Sequence, residues 1–445
     1  MSGVEWWIST ILILLIIVYS VKRPTLKISL LVLGCVAYWA WLDVLLPWLN
    51  GFLIVNSWAV GTKFCIFVGA FSLFNLIPPS RGGATPVLVL LVALGSTLLV
   101  SASNYISLYL AIELPTFSLF ILVSQKGGSG LSAEAGLKYF VLGALASGLM
   151  LFGCGLLWGL LGGPGFPGEE LGGGYGGGGL FITAALLFKL SAAPFHMWAP
   201  DVFEGSPAPT TALLSTVPKM GVFSILVAQG PVAQALLVAV LFSLVVGAAG
   251  ALNQIKIKRL LAYSGIVHMG FVLWGIEMGT LASVQASLIY MVLYLIMAVC
   301  AFAIVVVWGG KNLIVEFGGL SRKEPLLAIT LGLAFFSIAG VPPLLGFLGK
   351  WCVLLAGISY GYNLVSILAV VCSVVAGVYY VRLVKIVFFQ THFFWGVGLK
   401  ALRVPKTINL GRALLIGACF YLLGLGIICP NLLLQFAHGA ATGLF

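Results

Sequence analysis

Residues 187–209 read "LFKLSAAPFHMWAPDVFEGSPAP". Lys189 lies in an apolar run, and Pro194, His196 and Pro200 follow where a membrane helix would continue. Proline lacks an N–H and its ring clashes with the carbonyl four residues back, so it kinks or breaks a helix. A cation beside a helix break, in so apolar a setting, requires a polar or hydrated interior. The rest of the chain says what kind.

Composition excludes a soluble domain. Of the 445 residues 61% are hydrophobic and 7% charged, the mean hydropathy is +1.18, and soluble domains carry roughly 25% charged residues. Apolar runs of about 20 residues recur along the chain, the length a helix needs to cross roughly 30 Å of hydrocarbon. The short alternating segments of a membrane barrel are absent. The expected fold class is therefore an all-α polytopic membrane protein. Hydropathy and turn residues give about 14 transmembrane helices, near 5–21, 28–49, 60–78, 85–102, 104–124, 136–161, 180–198, 209–229, 231–252, 261–277, 282–308, 325–355, 361–386 and 412–435. The opening "MSGVEWWISTILILLIIVYSVKRP" places its charges in the reverse order of a secretory signal and is not an Arg-rich presequence, so it reads as a retained first span.

Charge placement tests that division. Lys22, Arg23, Lys27, Arg81, Lys126, Lys256, Lys258, Arg259, Lys311, Arg322, Lys323, Arg382, Lys385, Lys400, Arg403, Lys406 and Arg412 fall in loops after odd-numbered spans. Loops after even-numbered spans hold no cation, although Glu169, Glu170 and Glu277 lie there. By the positive-inside rule both termini are expected outside. The net charge of +11 is then a basic rim facing anionic headgroups or a partner subunit, and no exposed domain remains to bind nucleic acid.

Five cations are left over: Lys63, Lys138, Lys189, Lys219 and Lys350. Lys63 opens its span and is expected to snorkel to the headgroups. The others lie inside spans, as does Glu113. An intramembrane charge costs roughly 2.5–3.5 kcal/mol even on the mild insertion scale, which makes each a functional candidate. All are lysine. A buried ammonium can give up its proton, whereas a guanidinium stays charged, so the pattern points to proton carriage. Glu113 and Lys138, on consecutive spans, are placed to pair, either as a switch acting on the next lysine or as a static clamp between two helices.

A second break, "FSIAGVPPLLGFLGKW" at 336–351, carries Pro342 and Pro343 beside Lys350. Superposing Phe188 on Phe336 brings Pro194 onto Pro342, suggesting two related halves. Interrupted spans at matching places mark the central site of a transporter, although ordinary proline kinks are also tolerated in membrane helices. His196, seven residues past Lys189, and His268, opening the tenth span, are candidate relays or hydrogen-bonded structural histidines. Ser191, Thr210, Thr211, Ser215 and Tyr290 are candidates to hold bridging waters or to pack helices.

Other chemistry finds no support. The eight cysteines are scattered singly, with no C-x-x-C pair or Cys/His cluster, so metal and iron–sulfur sites are not expected. No glycine-rich nucleotide fingerprint is present. The Gly-rich stretch 161–179 reads as a flexible loop.

The segments "FKLSAAPFHMWAPDVFEGSPAPTTALLSTVPKMGVFSIL", "GLKYFVLGALASGLMLFGCGLLWG", "NQIKIKRLLAYSGIVHMGF" and "GVPPLLGFLGKWCVL" closely resemble the chain 2 (subunit N) family of proton-pumping NADH:ubiquinone oxidoreductase, respiratory complex I, over about residues 104–390. The resemblance implies an antiporter-like fold with two inverted five-helix repeats and two broken helices. Its divisions would be N-terminal helices 1–3 at 1–84, a first repeat at 85–230, a second at 231–390, and a loop with the last helix at 391–445. It implies Glu113 with Lys138 as a coupling pair, Lys189 as central proton carrier, and Lys219 with His196 as the bridge toward Lys350. His268 joins them as a relay candidate. A lysine at 350 favours this chain type over its antiporter-like sisters. The implied partners are other membrane-arm subunits and lipid; this chain would bind no cofactor or metal, with NADH, FMN, iron–sulfur clusters and ubiquinone held by partner subunits. The implied location is the mitochondrial inner membrane, with both termini on the intermembrane-space side; a bacterial plasma membrane or a thylakoid is the alternative. The Gly-rich insert and the last ~50 residues match no motif of that family. Two rival readings are a subunit of a cation/proton antiporter without redox partners and a scaffold linking neighbouring membrane subunits.

Overall fold

The structure, a computed structural model, describes residues 52–54, 56–77, 85–126, 129–162, 165–166, 176–230, 232–309, 312–390 and 410–444. The spans expected at 5–21 and 28–49, the loop 391–409 and most of the Gly-rich stretch lie outside them. The described chain is a bundle of helices: α1 (Ser57–Phe74), α2 (Thr85–Ser101), α3 (Tyr105–Ser124), α4 (Gly130–Leu161), α5 (Gly176–Leu190), α6 (Trp198–Gly205), α7 (Ala208–Gln229), α8 (Ala233–Ala251), α9 (Ile257–Glu277), α10 (Leu281–Val307), α11 (Leu320–Lys323), α12 (Pro325–Ala339), α13 (Leu345–Tyr360), α14 (Asn363–Phe389), α15 (Leu410–Leu425) and α16 (Asn431–Ala441). Among the described residues eight helices are long and apolar enough to cross a membrane. Every backbone polar group in hydrocarbon must be satisfied internally, which leaves the helix as the solution for such a chain.

The expected spans and the helices agree closely, with four instructive differences. Helix α4 starts six residues before its expected span, α9 starts four before, and the last span is two helices separated at Cys429 and Pro430. The Gly-rich stretch is not loop throughout, because Gly176–Gly179 already belong to α5. There the glycines allow close approach: a Cβ on Gly178 would stand 2.8 Å from Leu157, and one on Gly153 would stand 2.8 Å from the Gly178 carbonyl. Small residues at such a contact let two membrane helices meet backbone to backbone.

Contacts between helix ends follow the parity of the spans. Arg259, at the start of α9, bonds Asp201 on α6; Arg412 donates to the carbonyl of Leu76; Arg382 donates to that of Leu252. All six lie at the ends assigned the positive loops. At the other end Tyr362 donates to Glu277 at 2.9 Å. Helix α10, buried along nearly its whole length, is the centre of the bundle, with α7, α9, α12 and α13 around it.

Both expected breaks are present. Helix α5 stops at Leu190, Ser191 takes φ 59°, and Pro194 follows in a cis peptide; α12 stops at Ala339, Gly340 takes φ 83°, and Pro343 follows in a cis peptide. Taken by their helix ends, the two breaks correspond as Leu190 to Ala339 and Ser191 to Gly340. The sequence register of Phe188 on Phe336 is off by one, because it aligned Pro194 with the first proline of the pair rather than the second.

Candidate functional site: lysines on two broken helices

A helix leaves its last carbonyls without intrahelical partners, and its C-terminus carries partial negative charge that favours a cation. In both broken helices a lysine meets that need. Lys350 Nζ donates to the carbonyl of Ala339 at 2.7 Å, the last residue of α12. Lys219 Nζ, on α7, donates to Ser191 Oγ at 2.7 Å, and that hydroxyl donates at 2.5 Å to the carbonyl of Leu190, the last residue of α5. Ser191 is the one described residue other than glycine with a positive φ. That conformation costs a non-glycine residue about 1–2 kcal/mol; here it sets the hydroxyl between helix end and ammonium. Lys219 is 1% exposed and Lys350 8%.

Between these two lysines lies His268. Its Nδ1 is 2.7 Å from the hydroxyl of Tyr290, and its ring packs 5.3 Å from that of Tyr294. Tyr290 stacks on Phe271 at 5.5 Å, and Lys350 Nζ stands 5.8 Å from the Phe271 ring. On the same helix a Cβ at Gly265, one turn before His268, would stand 3.9 Å from Lys219 Nζ. His196, expected as the bridge beside Lys219, is buried in the first break, but its Nδ1 meets no hydrogen-bond partner among the described residues. The structure thus brings Lys219, His268 and Lys350 together through an aromatic and tyrosine core.

Lys189 is held differently. It occupies the last turn of α5, and its buried Nζ has no hydrogen-bond partner among the described residues. It lines a cavity of about 20 Å³. Glu113 lies on α3 one turn before Thr116, which lines the same cavity. Thr116 Oγ1 donates to Glu113 Oε2 at 3.1 Å, while the other oxygen, Oε1, is buried without a partner.

The expected pair of Glu113 with Lys138 is not formed. Lys138 Nζ lies 2.6 Å from Glu134, one helical turn back, and 2.9 Å from Asp201 on α6. The physical reason is position: the Lys138 side chain is 39% exposed and turned toward Asp201, about 100° around α4 from its neighbour Tyr139, which faces inward and is buried. Lys63 is a second correction. Rather than snorkelling it is 1% exposed, folded into the core of the bundle.

Asp201 and Glu204 were not among the sequence candidates. They tie α6 to α4 and α9: Arg259 reaches Asp201 at 3.1 Å and Glu204 at 3.4 Å, Lys256 also pairs with Glu204, and Lys258 Nζ donates to the Ser206 carbonyl at 2.7 Å. The signal that could have found them is two acids in "APDVFEG" set against the cations of 256–259. Among the described residues no group of metal-ligating side chains converges, and the described cysteines are unpaired thiols.

Residues 102–376 match the family described as NADH:quinone oxidoreductase/Mrp antiporter, TM. The chain is 71% identical to NADH-ubiquinone oxidoreductase chain 2 of Metridium senile over 385 residues, covering 83% of this chain and 100% of that one. It superposes on a chain of respiratory complex I from Thermus thermophilus with a TM-score of 0.82 and 30% identity, covering 96% and 97% of the two chains. A chain of the Mrp complex from Dietzia sp. DQ12-45-1b shares the fold, with a TM-score of 0.81 at 18% identity and coverage of 99% and 97%. Broken helices, buried lysines and sequence agree: this chain belongs to the NADH:quinone oxidoreductase/Mrp antiporter transmembrane family.

Proposed function

We propose that this chain is the proton-translocating, antiporter-like subunit 2 of NADH:ubiquinone oxidoreductase, a multi-pass protein of the mitochondrial inner membrane with both termini on the intermembrane-space side. The observation that carries the reading is the placement of Lys219 and Lys350 on the ends of two broken helices, with His268 between them and Lys189 alongside. Lys219 and Lys350 are each held by a neutral acceptor rather than neutralised by a carboxylate. A charge so held can leave as a proton without stranding a buried counter-ion, which a static ion pair cannot do.

Glu113 acts on Lys189, and protons pass along Lys189, Lys219, His268 and Lys350, with His196 and Lys138 flanking this axis. Quinone reduction takes place in partner subunits of the membrane arm, which hold FMN and the iron–sulfur clusters; this chain supplies no redox centre. The equivalent ends of α5 and α12 support reading 85–230 and 231–390 as two inverted repeats, preceded by 1–84 and followed by 391–445. The fold is shared with a cation-antiporter complex, but the high identity to chain 2 over the full length of that relative favours the respiratory assembly.

The test is NADH-driven proton uptake into vesicles, comparing Lys189→Ala with the parent after a native gel has verified assembly. Loss of pumping and of coupled quinone reduction, with redox centres still reducible, is expected. Unchanged pumping in an assembled complex sinks the carrier reading and leaves a scaffold. A requirement for sodium, with no redox subunits co-purifying, would move the chain to the antiporter class.

A further inference from the structure

Thr116 sits one turn along α3 from Glu113 and has two acceptors for a single hydroxyl hydrogen. Its Oγ1 lies 3.1 Å from Glu113 Oε2 and 2.8 Å from the Glu113 backbone carbonyl. A hydroxyl donates one hydrogen and accepts two, so it can serve only one of these fully at a time. An ionised carboxylate makes the stronger, charge-assisted bond; a neutral one lets the hydroxyl turn back to the backbone. The direction of this one hydrogen therefore reports the charge on Glu113.

Thr116 also lines the cavity of about 20 Å³, together with Ser96, Tyr139 and Lys189. The walls are close-packed. A Cβ on Gly95 would meet the Pro115 ring, and one on Gly221 would stand 3.1 Å from the Ser96 carbonyl, so the helices that carry the cavity meet closely beside it. Pro218 and Leu214 form another part of the wall. Pro218 has no N–H to give the Leu214 carbonyl within α7, which leaves that oxygen open to another donor. A buried water needs roughly 10–15 Å³ of such space and two to four polar partners. The cavity meets both conditions for one molecule and is too small for a file of them. Lys189, which lines it, has a buried Nζ without a described partner and three hydrogens to donate.

We infer that this cavity is a binding site for a single water that joins Lys189 Nζ to Thr116 Oγ1, making Thr116 the positioning residue through which Glu113 and Lys189 are coupled. The water accepts from the ammonium and donates to the threonine, which donates to the carboxylate. When Glu113 is neutral the hydroxyl turns away, the water loses its oriented acceptor, and the hold on the Lys189 charge changes. No covalent bond forms or breaks in this reorientation. The inference deepens the proposed function and rests on it only in taking Glu113 and Lys189 as the groups that change charge.

The test combines a high-resolution density map of the assembled complex with the pH profile of coupled NADH oxidation for the parent, Thr116→Val and Thr116→Ser. Valine keeps the shape and removes the hydroxyl; serine restores it. One water peak within hydrogen-bond distance of both Lys189 Nζ and Thr116 Oγ1 is expected in the parent. In Thr116→Val the pH profile should move by on the order of one unit, the size of one lost charge-assisted hydrogen bond, and Thr116→Ser should return it. A parent map with no peak there overturns the inference even if Thr116→Val fails to assemble. A valine profile superimposable on the parent also overturns it, while Lys189→Ala, read in parallel, decides separately whether the carrier function stands.

Discussion

Gly340→Ala perturbs Lys350 without touching it. The new Cβ would stand 2.7 Å from Lys350 Cδ, 3.1 Å from Cε and 3.0 Å from Nζ, too near for the lysine to keep its bond to the Ala339 carbonyl. Two costs follow. Alanine at φ 83° is disfavoured by about 1–2 kcal/mol, and the bond from a charged donor is worth about 1.5–3 kcal/mol. Together they amount to roughly 2.5–5 kcal/mol, a large fraction of the margin that holds a native fold. The variant should assemble with lower thermal tolerance and lose most NADH-driven proton uptake. Gly377→Ala is the control: it lies inside α14 with nothing within 4 Å of the added methyl, and alanine there favours the helix by about 1 kcal/mol. Lys350→Arg is the companion, since it keeps the positive charge but not the ability to release a proton. Measurement is of vesicle acidification against quinone reductase rate, with assembly on a native gel. Parent-level pumping in Gly340→Ala, or in Lys350→Arg, would refute the argument that Lys350 works from the end of α12.

Ser191→Gly and Ser191→Ala both remove the acceptor of Lys219, but only glycine relaxes the positive φ. Glycine should leave the complex more heat-stable than alanine by about 1–2 kcal/mol, while both slow proton uptake; full pumping by either variant would show that Lys219 does not depend on that hydroxyl. Asp201→Asn should assemble, because the side chains it pairs are more than a third exposed and each such pair is worth no more than about 1 kcal/mol, with Glu204 still holding Arg259. Slower pumping in that assembled variant would give the choice of partner by Lys138 a functional weight, and an unchanged rate would assign the network to packing. Gly205→Val should block assembly, since even a Cβ there meets the Leu131 carbonyl at 2.4 Å and Ala135 at 2.6 Å; a native-gel band at parent intensity would contradict the close packing of α6 on α4.

The line of buried lysines was legible because membrane burial makes each charge expensive, so Lys189, Lys219 and Lys350 stand out against the apolar runs. Both breaks were legible from proline alone. Side-chain direction was not. Lys138 and Tyr139 are adjacent in sequence, and hydropathy cannot say that the lysine points outward to Asp201 while the tyrosine points in. A one-residue difference turns a helix by roughly 100°, which is the difference between pairing with Glu113 and pairing with Asp201. Lys63 failed for a related reason: a cation in the second turn of a span looks able to snorkel, and only the packing around α1 encloses it. The prolines gave the breaks but not their register, because Pro342 and Pro343 are adjacent and the helix end, not the proline, is the equivalent point. Asp201 and Glu204 lay in a stretch whose interest came from its lysine and histidine, so their acids drew no separate reading.

The two breaks do more than admit polar groups. A continuous helix would bury the carbonyls of Leu190 and Ala339 in its own hydrogen bonds; Lys350 would then lose its acceptor, and the Ser191 hydroxyl that receives Lys219 would lose the carbonyl that fixes it. A carboxylate in the same place would hold the ammonium more tightly and would have to be neutralised each time the proton left. The helix end supplies a fixed partial charge that needs no proton of its own. Lys138, which does not lie on a break, is the lysine held by two carboxylates, and it is also the one on the outer side of its helix. The division is consistent: at the proposed carriers Lys219 and Lys350 the partner is a hydroxyl or a backbone end; where a charge joins α4 to α6, the partner is an acid.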